Sequence, residues 1–120
     1  MKETDITDSE YSDLGSDKKG NCVLFARYKT PSLPSNLTFY EDKIKNAKNR
    51  EATEVPSQGW IAIEDRGTDY GHVAWVKSAS KSGGTITVTT HDGAWGSGKN
   101  RIYERTGTTS ELKIKGYYAP

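Results

Sequence analysis

Gly71-His72-Val73-Ala74-Trp75-Val76-Lys77 and, beyond a Gly83-Gly84 turn, Thr85-Ile86-Thr87-Val88-Thr89-Thr90-His91-Asp92 read as the two strands of one hairpin. Paired glycines reach the backbone geometry that closes a hairpin, and the β-branched residues beside them favour extended chain. Outward from this hairpin, Trp60-Ile61-Ala62-Ile63 forms a strand before it, and residues 101–105 and 112–118 form strands after it. The expectation is an antiparallel sheet of about five strands. Upstream of the turn signal Pro56-Ser57-Gln58-Gly59 the period is helical. Cys22, Val23, Phe25 and Ala26 suit a short helix over 21–28 with one buried face. Thr30-Pro31 stops it, because the residue before a proline is pushed out of helical geometry, and residues 31–35 make a rigid turn. Tyr40, Ile44 and Ala47 predict a second helix over 39–50, a surface helix whose other face is charged. Helices first and strands after mark an α+β domain.

One hundred and twenty residues make one domain with a modest core. The hydrophobic fraction is 32% and the mean hydropathy is -0.81, so that core must lean on the seven Tyr and three Trp. Seventeen basic and 16 acidic side chains leave a net charge of +1, which gives no reason to expect a nucleic-acid partner or an anionic membrane. No apolar stretch approaches the length of a membrane span. Residues 1–19 are acidic and polar, without apolar period, and read as a mobile arm before a domain over 20–120. Met1 to Asp8 lacks the apolar core of a secretory signal. A single cysteine excludes both an internal disulfide and a cysteine-based zinc site.

That cysteine, Cys22, follows Gly20-Asn21 at the start of the first helix. A helix N-terminus carries partial positive charge and unpaired N–H groups, which lower a thiol pKa and can bind an oxyanion. Fifty residues on, His72 heads a strand, so the two suggest a thiol nucleophile with its base. Ile86 and Val88 fix the buried face of the following strand, and alternation carries that face to Thr90 and Asp92 while His91 points away. His72 shares its face with Ala74 and Val76, so the hairpin brings Asp92 near His72; His91 gets there only if a bulge shifts the register. Asp92-Gly93 is also a favoured turn dipeptide. Trp75 faces away from the predicted core. Trp95, in the glycine-rich loop 93–98, and Thr90 are candidates for the border of a substrate groove.

Gly20-Asn21-Cys22, Pro56-Ser57-Gln58-Gly59, Gly71-His72-Val73-Ala74-Trp75-Val76, Thr85-Ile86-Thr87-Val88 and the ending Ile114-Lys115-Gly116-Tyr117-Tyr118-Ala119-Pro120 together resemble the CHAP family. The resemblance runs from about Lys19 to the C-terminus. It implies a fold similar to papain-like and NlpC/P60 peptidases, with a nucleophile on a helix packed against an antiparallel sheet bearing the histidine. It also implies a cysteine hydrolase of bacterial peptidoglycan, either an N-acetylmuramoyl-L-alanine amidase or an endopeptidase, as used by phage lysins, autolysins and secreted toxins. Members often have glutamine where this chain has Asn21, and glutamate and asparagine where it has Thr90 and Asp92.

On this reading Cys22 is the nucleophile, His72 the base and then acid, and Asp92 the residue that holds the imidazole. The Cys22 N–H, with the Asn21 side chain, is the expected oxyanion donor. Two other readings remain open: an amidase on a small peptide conjugate, and a catalytically silent binding module. Some lysins of this kind hold calcium ahead of the cysteine, but Asp8, Glu10, Asp13 and Asp17 do not space as a calcium loop. No metal and no cofactor are implied. The expected partners are peptidoglycan and an immunity or targeting protein, the expected state is a monomer, and the expected place of action is the cell wall, outside the cytoplasm.

Overall fold

The computed structural model describes residues 1–93 and 100–120, so Trp95 lies outside the described residues. In chain order the elements are β1 (Lys2–Asp5), α1 (Thr7–Glu10), α2 (Ser16–Lys19), α3 (Cys22–Lys29), α4 (Tyr40–Asn46), β2 (Arg50–Glu51), β3 (Ile61–Glu64), β4 (His72–Ser82), β5 (Thr85–Gly93), β6 (Ile102–Thr108) and β7 (Ile114–Tyr118). The α+β expectation holds, with short helices on an antiparallel sheet. The sheet has seven strands, not five, in the order β1-β6-β5-β4-β3-β7-β2.

The two additional strands are the outermost ones, and their chemistry explains why periodicity passes over them. All four residues of β1 are exposed, so no alternation marks it; it is held by main-chain pairing from Lys2↔Thr106 to Asp5↔Tyr103. The two-residue β2 pairs with β7 through Arg50↔Tyr117 and Glu51↔Gly116, and is too short to carry a pattern. Residues 1–19 are therefore folded onto the sheet rather than extended as an arm. Ile6 and Tyr11 anchor them, each 8% exposed, and the Ile6 N–H donates to the Ile102 carbonyl at 2.9 Å.

Both faces of the sheet are buried. All four residues of β3 and the first five of β4 are buried, which a strand with one wet face does not show. On one face Ile61, Ile63, Val73 and Trp75 pack against Phe25 and Ala26 of α3 and against Tyr11. Trp75 thus faces a second core under the helices, not solvent. On the other face Ala62, Ala74 and Val76 meet Ile86 and Val88 of β5 and Ile114 and Tyr117 of β7. Side chains from β5 and β7 join one cluster although two strands lie between them, so the sheet is curled around this opposite core.

The hairpin of β4 and β5 contains a bulge that decides which residues share a face. Near the turn the register runs Ser82↔Thr85 to Ser78↔Thr89; past Lys77 it runs Val76↔Thr90 and Trp75↔His91. One extra residue in β4 reverses its alternation relative to β5. Without it, the register set at the turn would place His91 on the face of His72. The bulge places Asp92 there instead, the reverse of the role expected for one.

Candidate active site

The site begins with a helix cap. Asn21 is extended, and its side-chain oxygen accepts from the N–H groups of Val23 and Leu24, both at 3.0 Å. This starts α3 at Cys22 and leaves the Cys22 N–H outside the cap's own bonds. The Asn21 oxygen is therefore committed to the helix, so any hydrogen bond this side chain gives to an oxyanion comes from its amide nitrogen. Two glycines bring the neighbouring strands up to this terminus. Gly71 has φ +64, and a Cβ there would stand 2.9 Å from the Glu64 carbonyl and 3.0 Å from the Tyr40 ring, so only glycine can lead the chain into His72. A Cβ on Gly93 would stand 2.7 Å from that of Phe25, so the end of β5 lies directly against α3.

His72, the first residue of β4, is 3% exposed. Its Nε2 is 2.6 Å from Oδ2 of the fully buried Asp92, and its ring is hydrogen-bonded to the Cys22 thiol. With Nε2 given to the carboxylate, Nδ1 is the nitrogen left for the thiol. Burial pushes the Cys22 thiol up, but the charge of His72 and its hydrogen bond, with the Val73 N–H and the Lys43 ammonium, bring it down to about 7 from 9.0. Burial works against the charged form of His72 too; Cys22, Asp92 and Glu64 outweigh it and raise the imidazole above its ordinary range. Burial likewise disfavours the Asp92 carboxylate, and Arg105 and His72 overcome it, holding Asp92 far below the usual carboxylate range.

Cys22 opens onto a groove of about 590 Å³ bordered by Asn21, Asn36, Leu37, Thr38, Tyr70 and Gly71. Lys43 shapes one wall. Its ammonium, 2% exposed as a residue, donates to the carbonyls of Leu37 at 2.6 Å, Tyr70 at 2.8 Å and Thr38 at 3.1 Å, so all its protons are used in pinning the loops around the groove. A larger depression of about 770 Å³, between Ala52, Lys81, Thr109 and Lys115, contains none of these reactive groups.

The CHAP domain profile matches residues 11–108. The chain belongs to the CHAP domain family. Among solved structures, the crystal structure of Ly7917 resembles it with a TM-score of 0.56 at 14% identity, over 84% of this chain and 53% of that one, so the chain spans about half the length of that relative. Among curated proteins no sequence matches it.

In this CHAP domain the geometry separates two neighbours that the sequence leaves close together. His91 lies on the helix-covered face, where Tyr11 Oη meets its Nδ1 at 2.8 Å and Glu104 Oε1 its Nε2 at 3.0 Å. It does not approach His72. Thr90, a candidate groove residue, is fully buried and donates its hydroxyl to Asp92 Oδ1 at 2.6 Å, so it supports the carboxylate and does not border the groove. Glu64, His72 and Asp92 lie close enough for a cation, but Arg105 and Arg66 already sit against those carboxylates. Glu10, His91 and Glu104 form a second such group, in which the Lys77 ammonium occupies Glu104 at 3.0 Å.

Sequence reasoning passes over Lys43, Glu64 and Arg105. Lys43 carries a readable signal, since it falls on the Tyr40–Ile44–Ala47 stripe of its helix. Glu64 does too, two residues beyond Ala62 on the face that bears His72. Arg105 carries none, because arginine in a strand more often faces water.

Proposed function

We propose that this CHAP domain is a cysteine hydrolase that cleaves amide bonds of bacterial peptidoglycan through Cys22, His72 and Asp92. The observation that supports it is one hydrogen-bonded line from thiol to imidazole to buried carboxylate, opening on a groove. A thiol of about 7 is roughly half ionised at neutral pH, against about one part in a hundred for one at 9.0. The thiolate adds to the amide carbonyl, and the oxyanion is received by the Cys22 N–H at the start of α3. His72 then delivers its proton to the leaving nitrogen, the C–N bond breaks and a thioester remains. Water, losing a proton to His72, cleaves the thioester and releases the acid.

The same ionised thiol speaks against a silent binding module. The test is digestion of purified peptidoglycan with product masses read by spectrometry. Cys22→Ala should abolish release, and His72→Ala should be about as damaging because the two act as a unit. Parental release by Cys22→Ala would overturn the assignment.

A further inference from the structure

Four consecutive strands each place one charged side chain on the same face beside the thiol: Glu64 from β3, His72 from β4, Asp92 from β5 and Arg105 from β6. All are 3% exposed or less. The Nη2 of Arg105 donates both to Glu64 Oε2 and to Asp92 Oδ2, the oxygen that also meets His72 Nε2. Arg66 holds the other oxygen of Glu64 at 2.8 and 3.1 Å and comes to 3.9 Å from Asp92. The second oxygen of Asp92 takes the Thr90 hydroxyl.

We propose that Arg105 is a positioning residue: clamped by Glu64, its guanidinium fixes the Asp92 carboxylate against His72 Nε2 and so keeps Nδ1 turned to Cys22. This rests on the reading of Cys22 and His72 as nucleophile and base. With Arg105 gone, the Arg66 guanidinium, held on Glu64 and 3.9 Å from Asp92, is the weaker partner for that carboxylate, and a proton shared in the pair would release Asp92 from its aim. The other ionisable groups around the network are Cys22 on α3, Lys43 on α4 and Tyr117 on β7, which acts on it through Glu64. None of these touches both Asp92 and Glu64 in the described residues.

A buried ion pair that serves only the fold can be exchanged for apolar side chains of similar volume with little loss. The decisive protein is therefore the full chain carrying both Arg105→Met and Glu64→Met, which removes one charge of each sign. It is compared with the parent in denaturant unfolding, in turnover, and in the pH dependence of Cys22 alkylation by iodoacetamide. The double variant should unfold cooperatively like the parent, lose roughly tenfold to a hundredfold in kcat at unchanged KM, and show an alkylation midpoint moved up from about 7 toward 9.0. A folded double variant with parental midpoint and turnover overturns the proposal. So does one that no longer folds, because the pair would then be holding the sheet and not the carboxylate. A parent whose own midpoint stands near 9.0 overturns the nucleophile reading instead, and is distinguished from both.

Discussion

His91 and Asp92 are adjacent in sequence and differ in every physical respect that matters. Asp92 is ionised and aimed at His72, whereas burial holds His91 below its ordinary range, with only partial relief from Glu104 and Glu10. Asp92→Ala should slow turnover by about a hundredfold or more, because the ring loses the partner that fixes its tautomer and stabilises its charged form. Asp92→Asn should be milder, since an amide oxygen can still accept from Nε2. His91→Ala should leave turnover nearly unchanged while lowering stability by about 1–3 kcal/mol, the cost of stranding the Tyr11 hydroxyl and Glu104. Kinetics and urea unfolding of these variants check the pair. A severe kinetic loss at His91 with none at Asp92 would reverse the assignment. At this scale the meeting of Cys22, His72 and Asp92 was legible because a thiol, an imidazole and a carboxylate are scarce or conspicuous at a helix start or strand end. Arg105 was not, because its meaning comes from partners 13 and 41 residues away.

At the scale of elements, α3 must reach the sheet closely enough for a thiol on the helix to touch a histidine on a strand. Phe25 and Ala26 supply the buried face that draws it down, both fully buried, and Gly93 permits the final approach. Gly93→Ala would set a methyl 2.7 Å from Phe25 Cβ and 3.1 Å from the carbonyls of Lys18 and Asn21, so the first turn of α3 has to move. The expected result is a loss of roughly tenfold or more in turnover, with the alkylation midpoint of Cys22 raised. Iodoacetamide kinetics against pH would show it, and a parental profile would mean that the helix yields without uncoupling the thiol. The helices begun at Cys22 and Tyr40 and the five inner strands were legible because each buries a patterned face, although the second helix stops at Asn46 and Arg50 pairs as β2 instead of extending it. The burial of the second sheet face was not legible, since the helices that cover Trp75 are joined to it only in three dimensions.

For the whole molecule, the N-terminal nineteen residues close the helix-covered face, with Tyr11 edge-on to both Phe25 and His91. This ties stability to pH through His91. The unfolded chain takes up a proton near 6.5 while the buried ring stays neutral, so the unfolded state binds more protons and stability falls as pH drops below about 6.5. Asp92 acts lower, its contribution being complete above the unfolded carboxylate range and lost only as pH falls through its strongly depressed folded value. His72 has the opposite sense, stabilising below about 6.5 and ceasing to do so as pH rises through its elevated folded value. The unfolding free energy of His91→Gln, subtracted from that of the parent between pH 7 and 4, isolates the first of these. The difference should shrink as pH falls; a constant difference would show that His91 takes its proton in the folded state as readily as in the unfolded one. Among the described residues no helix is long and apolar enough to cross a membrane.

The extra residue at Lys77 makes the hairpin a counting device. Between that bulge and the Gly83-Gly84 turn, β4 and β5 advance in step from Ser78↔Thr89 to Ser82↔Thr85. Rungs can be added to or removed from this outer ladder in matched pairs, and Asp92 still meets His72. An unmatched insertion or deletion changes parity and delivers His91 in its place. The tip of the hairpin is thus free to vary in length and chemistry only in whole rungs, which makes it the part of this domain where a new recognition loop can be grafted without readdressing the acid.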